Sequence, residues 1–384
     1  MVKDFQFYLP VRIVFGVGSL GTIGQECLQL GAEKVMLVTD KNLVNTASFA
    51  EVVDSLSKVN IKPVVFSDFT PDPDEECIER GLAELRKYNC QALIGFGGGS
   101  SIDTTKAIAI SATNPAPIKE YEGINKLSKP GLPIITIPTT AGTGSEIGAA
   151  AIITSNVEKR KYMIKSPFAF AKAAILDPIV LTTLPKSVAA SAGIDALVHA
   201  IESYISRRSS PMSEMFATTS ITLAGRSIRD FTADRGNLEA GGDLLLASML
   251  AGISMTQSGL GIVHALAHPL GARFHIPHGL ACALILCDCL QAMTSNAVDK
   301  FAATAKIMEP KAKYATETDY AEHLVDIFRK LLADLEIETG LAKFGVAEGD
   351  ISILVDDAIK SGIAAFSPKE FSAEDMAQIL RRAL

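Results

Sequence analysis

The feature that most constrains the fold is a change of sequence pattern near the middle of the chain. Up to about residue 182, short apolar runs rich in β-branched residues alternate with segments of helical spacing. Alternation of this kind, with runs apolar on both faces, predicts a parallel sheet covered by helices on both sides. We therefore expect a doubly wound, Rossmann-like α/β domain. The predicted strands cover residues 12–15, 34–39, 61–66, 92–96, 133–137 and 174–176.

The second half of the chain carries only helical patterns. After Pro185 the sequence is rich in Ala, Leu and Met with helical periodicity. Asp177-Pro178 and Leu184-Pro185 form a plausible junction, because the residue before a proline disfavours helix. We predict two domains, an α/β domain over 1–182 and an all-helical domain over 183–384. The main predicted helices of the second domain cover 188–206, 213–229, 242–257, 319–335 and 373–384.

Composition excludes several classes of protein. With 48% hydrophobic and 21% charged residues, the 384-residue chain can bury a large core, which excludes global disorder. Its net charge is −7 and its basic runs are short, so we expect neither nucleic acid nor a membrane as partner. We find no run of 18 apolar residues and no secretory signal, and the six irregularly spaced cysteines indicate reduced thiols. These features predict a cytoplasmic protein.

Two glycine-rich loops compete as the binding site for a phosphate. Gly16–Gly21 matches G-x-G-x-x-G after a predicted strand, and Asp40 follows about 20 residues later, as in a dinucleotide-binding fingerprint. Gly97–Ser100 follows the apolar strand 92–96 and opens a helix, where free N–H groups suit a diphosphate. Asp103 and Lys106 in that helix could be capping and surface residues or could lie beside the ligand. The motifs alone leave the choice open.

A third loop carries several hydroxyl groups. The run 138–146 follows the predicted strand 133–137, and ligands bind at the carboxyl ends of strands in open parallel sheets. Its hydroxyls can bind phosphate, ribose or a carboxamide. They belong to Thr139, Thr140, Thr143 and Ser145.

The helical half carries a cluster of metal-binding residue types. Asp195 and His199 are four residues apart and share one helix face. Four more histidines, at 264, 268, 275 and 278, crowd into fifteen positions, whereas His323 stands alone. One carboxylate and three imidazoles would suit Fe(II), Zn or Mn with a position open for a substrate oxygen. Spacing does not decide which histidines bind, and the set contains no cysteine.

These motifs together resemble the iron-containing (group III) alcohol dehydrogenases over the whole chain. The resemblance rests on Gly97–Ser100 with Asp103 and Lys106, and on the run 138–146. It also rests on the segments 193–202, 261–271 and 277–279. It implies a dehydroquinate synthase-like architecture and a homo-oligomer, a dimer or larger.

The resemblance also assigns roles to single residues. It implies that Asp195, His199, His264 and His278 hold the metal, Fe(II) with Zn or Mn as alternatives, while His275 is not a ligand. His268 becomes a proton-relay group beside the site. The pyrophosphate contact falls on Gly97, Gly98, Gly99 and Ser100, which leaves Gly16–Gly21 as a structural turn.

The expected cofactor is NAD(H). Asp40 matches the position that contacts the adenosine ribose, and its carboxylate would repel the 2′-phosphate of NADP(H). Lys161 matches a lysine near the nicotinamide ribose. Asp72 stands where the family often has asparagine, and residues 147–151 are smaller and less polar than in lactaldehyde-type relatives. These departures leave the substrate open.

We therefore expect reversible hydride transfer between NAD(H) and a small primary alcohol or diol, or its aldehyde. A bound metal would act as a Lewis acid on the substrate oxygen. One alternative is an NAD-dependent lyase of the dehydroquinate synthase type. That reaction needs several basic residues, whereas the sequence near the histidine cluster offers only Arg273. The other alternative is a non-catalytic NAD-binding protein.

Overall fold

The computed structural model describes residues 4–69, 73–158 and 160–384. Asp72 therefore lies outside the described residues. The strands are β1 (Arg12–Phe15), β2 (Val35–Thr39), β3 (Val64–Phe66), β4 (Ala92–Gly97), β5 (Gly123–Ile124), β6 (Ile134–Pro138), β7 (Ala150–Ser155), β8 (Arg160–Lys165) and β9 (Ala173–Leu176).

Helices occupy most of the remaining chain. The first four are α1 (Ile23–Gln29), α2 (Ala47–Ser57), α3 (Glu75–Tyr88) and α4 (Gly99–Thr113). The others are α5 (Lys186–Ile205), α6 (Pro211–Ala233), α7 (Leu238–Ser258), α8 (Ile262–Phe274), α9 (His278–Met293), α10 (Val298–Met308), α11 (Glu317–Asp334), α12 (Ile351–Ser361) and α13 (Ala373–Ala383).

The described chain divides into two compact units. The α/β unit is Leu9–Leu184, and the helical unit is Pro185–Leu384 together with the segment that ends at Tyr8. In the helical unit, the Phe7 and Phe216 rings stack 5.6 Å apart and Gln257 Nε2 donates to the carbonyl oxygen of Tyr8. The predicted boundary, between residues 182 and 183, falls two residues before this division.

A six-stranded parallel sheet forms the centre of the α/β unit. Its strand order is β1-β9-β6-β4-β2-β3, and every strand pair is parallel. All residues of β2 and β4 are buried, which explains their apolar character on both faces. The chain leaves β2 toward β3 and leaves β4 toward β6. A ligand crevice is therefore expected at the carboxyl ends of β2 and β4.

A second, three-stranded sheet was not expected from the sequence. Its order is β5-β8-β7, with β7 and β8 antiparallel and β5 and β8 parallel. β5 has two residues and β8 contains Arg160, Lys161 and Lys165. Such short or charged segments lack the apolar run that identified the central strands.

Five helices of the helical unit follow the predicted segments closely. The predicted 188–206, 213–229 and 242–257 correspond to α5, α6 and α7. By length and composition, Leu238–Ser258 and His278–Asn296 would pass as membrane-spanning helices, although neither contains a long uninterrupted apolar run. In this fold 67% and 56% of their apolar windows are buried, as in core helices.

Candidate metal centre and nucleotide-binding loops

Three helices of the helical unit bring the predicted metal ligands together. Asp195 and His199 lie one turn apart on α5, His264 lies near the start of α8, and His278 is the first residue of α9. Gly279 allows α9 to start close to α5, because a Cβ there would overlap the carbonyl group of Ser191. The close approach places the α9 imidazole beside the α5 carboxylate.

The nitrogen atoms of three histidines converge on one carboxylate oxygen. Nε2 of His199 and Nε2 of His264 each lie 3.7 Å from Oδ1 of Asp195, and Nε2 of His278 lies 3.5 Å from it. Asp195, His199 and His264 are buried, whereas 33% of the His278 side chain is exposed. The helical unit therefore leaves this group of donors accessible on the His278 side.

These separations fit a metal ion better than hydrogen bonds. N–H···O bonds are about 2.7–3.2 Å long, whereas a tetrahedral ion with ligand bonds of about 2.1 Å holds its donors about 3.4 Å apart. Within the described part of the chain, buried Oδ1 of Asp195 has no hydrogen-bond partner. A buried acceptor of this kind is unfavourable unless something binds it. The residues present therefore fit the divalent metal that the sequence implies.

Glu202 fixes the orientation of His264. Its Oε2 lies 2.6 Å from Nδ1 of His264, and its Oε1 accepts a 2.7 Å hydrogen bond from the backbone N–H of Val263. Because an ionised carboxylate only accepts, Nδ1 carries the proton of this contact and Nε2 points to the donor group. Carboxylates commonly orient metal-binding histidines in this way. Glu202 lies in the segment 193–202 that carries the family resemblance, although the sequence alone predicts no role for it.

The electrostatics of the site favour positive charge. Burial alone would raise the pKa of Asp195, but the charges of His199, His278 and His264 outweigh it and hold that pKa below its ordinary value. Burial also opposes charge on His264, yet Cys282, Asp195 and Glu202 together raise its pKa well above the ordinary value. Two buried carboxylates therefore attract a cation to this imidazole, either a proton or a metal ion.

The remaining histidines occupy different places. The His268 ring lies 6.0 Å from that of His264 and 5.5 Å from that of His278, and it is partly exposed. His275 is exposed and ends α8 in a left-handed conformation. His323 Nε2 contacts Glu309 at 3.1 Å. Of the three, only His268 adjoins the cluster.

The structure adds a cysteine that the sequence analysis left out. The donor atoms of Asp195, His264, His278 and Cys282 all lie within 4.8 Å of one another, a group that contains three of the predicted ligands and not His199. His199 contacts it through Asp195 Oδ1. Cys282 follows His278 by four residues on α9, the same spacing that links Asp195 and His199. The spacing could have identified Cys282 as a candidate ligand, but the predicted ligand set contained no cysteine.

In the α/β unit, the second glycine loop lies at a strand-to-helix junction. Gly97 ends β4 with φ near +152°, Gly98 caps α4, and Gly99 and Ser100 begin that 15-residue helix. A side chain at Gly97 would overlap the hydroxyl of Ser101. The loop therefore exposes backbone N–H groups at a helix start, an arrangement that suits a pyrophosphate.

The hydroxyl-rich loop lies against the glycine loop. Thr139 N donates to the carbonyl oxygen of Gly97 at 3.0 Å. A Cβ built on Gly98 would lie 3.4 Å from Cγ2 of Thr140, and one built on Gly99 would lie 3.0 Å from Cγ2 of Thr143. The Ser145 hydroxyl would be 3.4 Å from the same Gly99 Cβ. The two loops are therefore in close contact, with least room for a side chain at Gly99.

Asp40 and Lys161 flank these loops within the same unit. Asp40 follows the carboxyl end of β2, whose Thr39 pairs with Phe96 of β4, and its Oδ1 accepts the N–H of Asn42 at 2.7 Å. Lys161 on β8 acts electrostatically on Asp103 of α4. By contrast, Gly16–Gly21 follows the edge strand β1, and its Leu20 N–H is bound by the carboxylate of Asp177.

Asp103 and Lys106 are buried inside the α/β unit, so neither is a surface residue. Nζ of Lys106 donates to the carbonyl oxygens of Ser145, Gly148 and Ala150 at 2.7–2.8 Å. Burial lowers the pKa of Lys106 and raises that of Asp103 to about 6. The ammonium group thus anchors the chain after the hydroxyl-rich loop.

The chain combines two features that are typical of a metal-dependent dehydrogenase. One unit has a parallel sheet with glycine-rich and hydroxyl-rich loops, and the other is helical and has a carboxylate–histidine cluster. Two family models match the chain: "iron-containing alcohol dehydrogenase" over residues 10–178 and "Fe-containing alcohol dehydrogenase family, C-terminal" over 189–384. The chain belongs to the iron-containing alcohol dehydrogenase family, an alcohol and aldehyde oxidoreductase family. The resemblance, the fold class and the oxidoreductase prediction are confirmed.

Individual relatives match along the full length. A 1,3-propanediol dehydrogenase of Citrobacter freundii is 33% identical, covering 99% of both chains. A crystal structure of 1,3-propanediol oxidoreductase matches with a TM-score of 0.97 at 32% identity over 100% of both chains. Sulfoacetaldehyde reductase from Bifidobacterium kashiwanohense, solved with NAD+, matches with a TM-score of 0.89 at 27% identity over 99% of both chains. The match places the chain with these oxidoreductases rather than with the lyases or non-catalytic proteins considered above.

Proposed function

We propose that the protein interconverts a small primary alcohol or diol and its aldehyde with NAD(H), using one divalent ion held by Asp195, His199, His264 and His278. The observation that carries the proposal is the buried Asp195 Oδ1 with three imidazole Nε2 atoms 3.5–3.7 Å away. Fe(II) is the proposed ion, with Zn and Mn as alternatives. Relatives that act on propanediol and sulfoacetaldehyde support a small substrate.

Each proposed site residue has a physical task. When bound, the metal supplies Lewis-acid chemistry and NAD(H) supplies the hydride chemistry. Asp195 provides the anionic donor, and three imidazoles provide neutral donors. Glu202 holds the Nδ1 proton of His264 so that Nε2 keeps its lone pair for the ion. In this proposal the helical unit binds the metal and the α/β unit binds the dinucleotide.

His268 is the proposed proton relay. Its ring is partly exposed and lies 6.0 Å from the ring of buried His264 and 5.5 Å from the ring of His278. A neutral imidazole can accept a proton at one nitrogen while it donates from the other. His268 would therefore carry the hydroxyl proton of the alcohol to solvent in oxidation and return it in reduction.

The proposed dinucleotide site uses Gly97–Ser100 for the pyrophosphate and Asp40 for the adenosine ribose. Thr139, Thr140, Thr143 and Ser145 supply hydroxyl groups beside that loop, and Lys161 adds positive charge. The contact between the two loops at Gly98 and Gly99 supports this assignment. The carboxylate of Asp40 favours NAD(H), because a 2′-phosphate would meet like charge.

The decisive experiment follows NADH absorbance after anaerobic loading with Fe(II). Ethanol, butanol, propanediols and lactaldehyde form the substrate panel. We expect turnover with at least one of them, and we expect Asp195→Asn to lose metal content and turnover together. His275→Asn is the matched control, since it replaces an exposed histidine with a residue that also tolerates the left-handed conformation. Full turnover by metal-free protein would overturn the proposal.

Cofactor choice is tested at Asp40. With the wild type we expect NADH to be preferred over NADPH by at least about tenfold in kcat/KM, the effect of roughly 1.4 kcal/mol of charge repulsion. Asp40→Ser should narrow that ratio by improving NADPH. Equal efficiency of the two cofactors with the wild type would contradict the assignment of this carboxylate.

We also infer a cytoplasmic location and a homo-oligomer. Six free cysteines favour a reducing compartment. Sedimentation of the metal-loaded protein tests the second inference, and a monomer at micromolar concentration would contradict it.

A further inference from the structure

Cys282 lies within the metal-binding group although it is not among the four proposed ligands. Its side chain is fully buried, and Sγ lies 3.9 Å from Nε2 of His264, the nitrogen that Glu202 leaves unoccupied. A thiolate is among the strongest protein ligands of divalent metals. At this distance Sγ can form a weak S–H···N hydrogen bond to Nε2, or the two atoms can share one metal ion.

Two of the three helices present their metal-binding side chains in pairs. α5 carries Asp195 and His199, and α9 carries His278 and Cys282, each pair four residues apart on one helix face. All the donor atoms of Asp195, His264, His278 and Cys282 lie within 4.8 Å of one another. Sulfur in a metal site is held at about 2.3 Å and nitrogen at about 2.0–2.1 Å, so Sγ and Nε2 of one site lie up to about 4.4 Å apart. The observed 3.9 Å falls within that limit.

A second observation points to the same ion. Within the described residues, Oδ1 of Asp195 is buried without a hydrogen-bond partner and lies among three imidazole nitrogens. We propose that Cys282 is a further metal donor and that its sulfur biases the site toward thiophilic divalent ions such as Zn(II), Co(II) and Cd(II). Coordination replaces the S–H bond by a sulfur–metal bond and releases the proton to the buffer, with no change of oxidation state. This inference rests on the proposed metal site.

The test is X-ray absorption spectroscopy on the Zn(II)-loaded full-length protein. We expect a sulfur shell at about 2.3 Å beside nitrogen and oxygen at about 2.0–2.1 Å. Cys282→Ser and Cys282→Ala should lose the sulfur shell. Cys289→Ser should keep it, because Cys289 is an equally buried thiol on α9 about 10 Å further along the helix axis.

A competition experiment gives a second readout. In chelator buffers, Cys282→Ser should shift the preference between Zn(II) and Fe(II) toward Fe(II) by about tenfold, since softer ligands favour Zn(II). This inference would be overturned if the wild-type spectrum showed only nitrogen and oxygen ligands and Cys282→Ser had the same Zn(II)/Fe(II) selectivity as the wild type. That result would not contradict the proposed function. A wild type that binds no divalent metal would overturn both.

Discussion

The α/β unit and the helical unit each bury a cluster of charged groups. The clusters differ in whether the charged atom at the centre, Nζ of Lys106 or Oδ1 of Asp195, has hydrogen-bond partners within the chain. In the α/β unit, Nζ of Lys106 uses all three protons on the carbonyl oxygens of Ser145, Gly148 and Ala150. In the helical unit, Oδ1 of Asp195 has imidazole nitrogens around it at distances too long for hydrogen bonds.

This difference separates a structural charge from a binding site. A buried ion whose hydrogen bonds are complete inside the chain has no capacity left for a ligand, and it holds its neighbours in place. A buried carboxylate oxygen that has no hydrogen-bond partner, with imidazole nitrogens converging on it, still has capacity for a ligand. Lys106 therefore stabilises a loop, whereas Asp195 lies at the proposed ion site.

The largest effect is expected for Lys106→Met, which tests whether Lys106 has the structural role described above. The substitution leaves three carbonyl oxygens without their donor and removes the cation near two buried acids, so unfolding of the α/β unit should become easier by about 3–5 kcal/mol. Urea unfolding measures the loss, and titration with NADH should show weaker binding because the hydroxyl-rich loop is no longer anchored.

The metal content of Lys106→Met provides the contrast. It should equal that of the wild type, because the proposed ligands all lie in the helical unit. A variant with wild-type stability and NADH affinity would show that Lys106 does not anchor the loop.

The next test concerns Glu146, which is buried beside Lys106. Burial raises the pKa of Glu146 to about 7, with the Lys106 charge opposing. The unfolded chain loses this proton near pH 4.5 and the folded chain only near pH 7, so stability falls between these values and stays low above them. The amide in Glu146→Gln does not ionise. The unfolding free energy of this variant should therefore exceed that of the wild type by about 3 kcal/mol at about pH 8 and by almost nothing at about pH 4.

Unfolding free energies at the two pH values check this expectation, with Glu33→Gln as the exposed control. Equal gains at both pH values would mean that the amide improves packing and that ionisation of Glu146 has no effect.

The sequence predicted the central sheet and the principal helices because their residues are buried on whole faces. β2 and β4 are buried throughout and almost entirely apolar, and the five long helical segments keep helical spacing. The sequence did not predict β5, β7 or β8: β5 has only two residues and pairs with a strand about 40 residues away, and β8 carries three basic residues. β7 pairs with β8 as a local hairpin, and its sequence shows no regular pattern. The burial of β7 alternates along the strand, but its residue types do not alternate between apolar and polar, so the sequence shows no sign of the strand.

For the proposed metal site, the sequence alone predicted only those ligands that lie on one helix. Asp195 and His199 follow from spacing on α5, but the choice among His264, His268, His275 and His278 needed the family resemblance. Cys282 had the same spacing signal as Asp195 and His199. Glu202 also shares that face of α5, seven residues after Asp195, but its partner His264 is 62 residues away, so spacing alone does not reveal the contact.

The smallest effect is expected for Glu202→Gln, which tests how the helical unit prepares the metal site. An ionised glutamate accepts from both Nδ1 of His264 and the N–H of Val263, whereas glutamine offers one acceptor oxygen and turns an NH2 group toward the other donor. His264 should then lose its fixed orientation. We expect metal affinity to fall by about 10- to 100-fold with the fold retained.

Chelator competition with Zn(II) measures that loss, and Glu322→Gln on the exposed face of α11 is the control. A purely structural role for Glu202 would lower the unfolding free energy of the protein and leave its metal affinity unchanged. The opposite pattern, weaker metal binding at nearly constant stability, would show that the buried carboxylate acts through the Nδ1 proton of His264. Asp195 would then bind the ion directly, while Glu202 resembles Lys106 in having its hydrogen bonds completed by the chain itself.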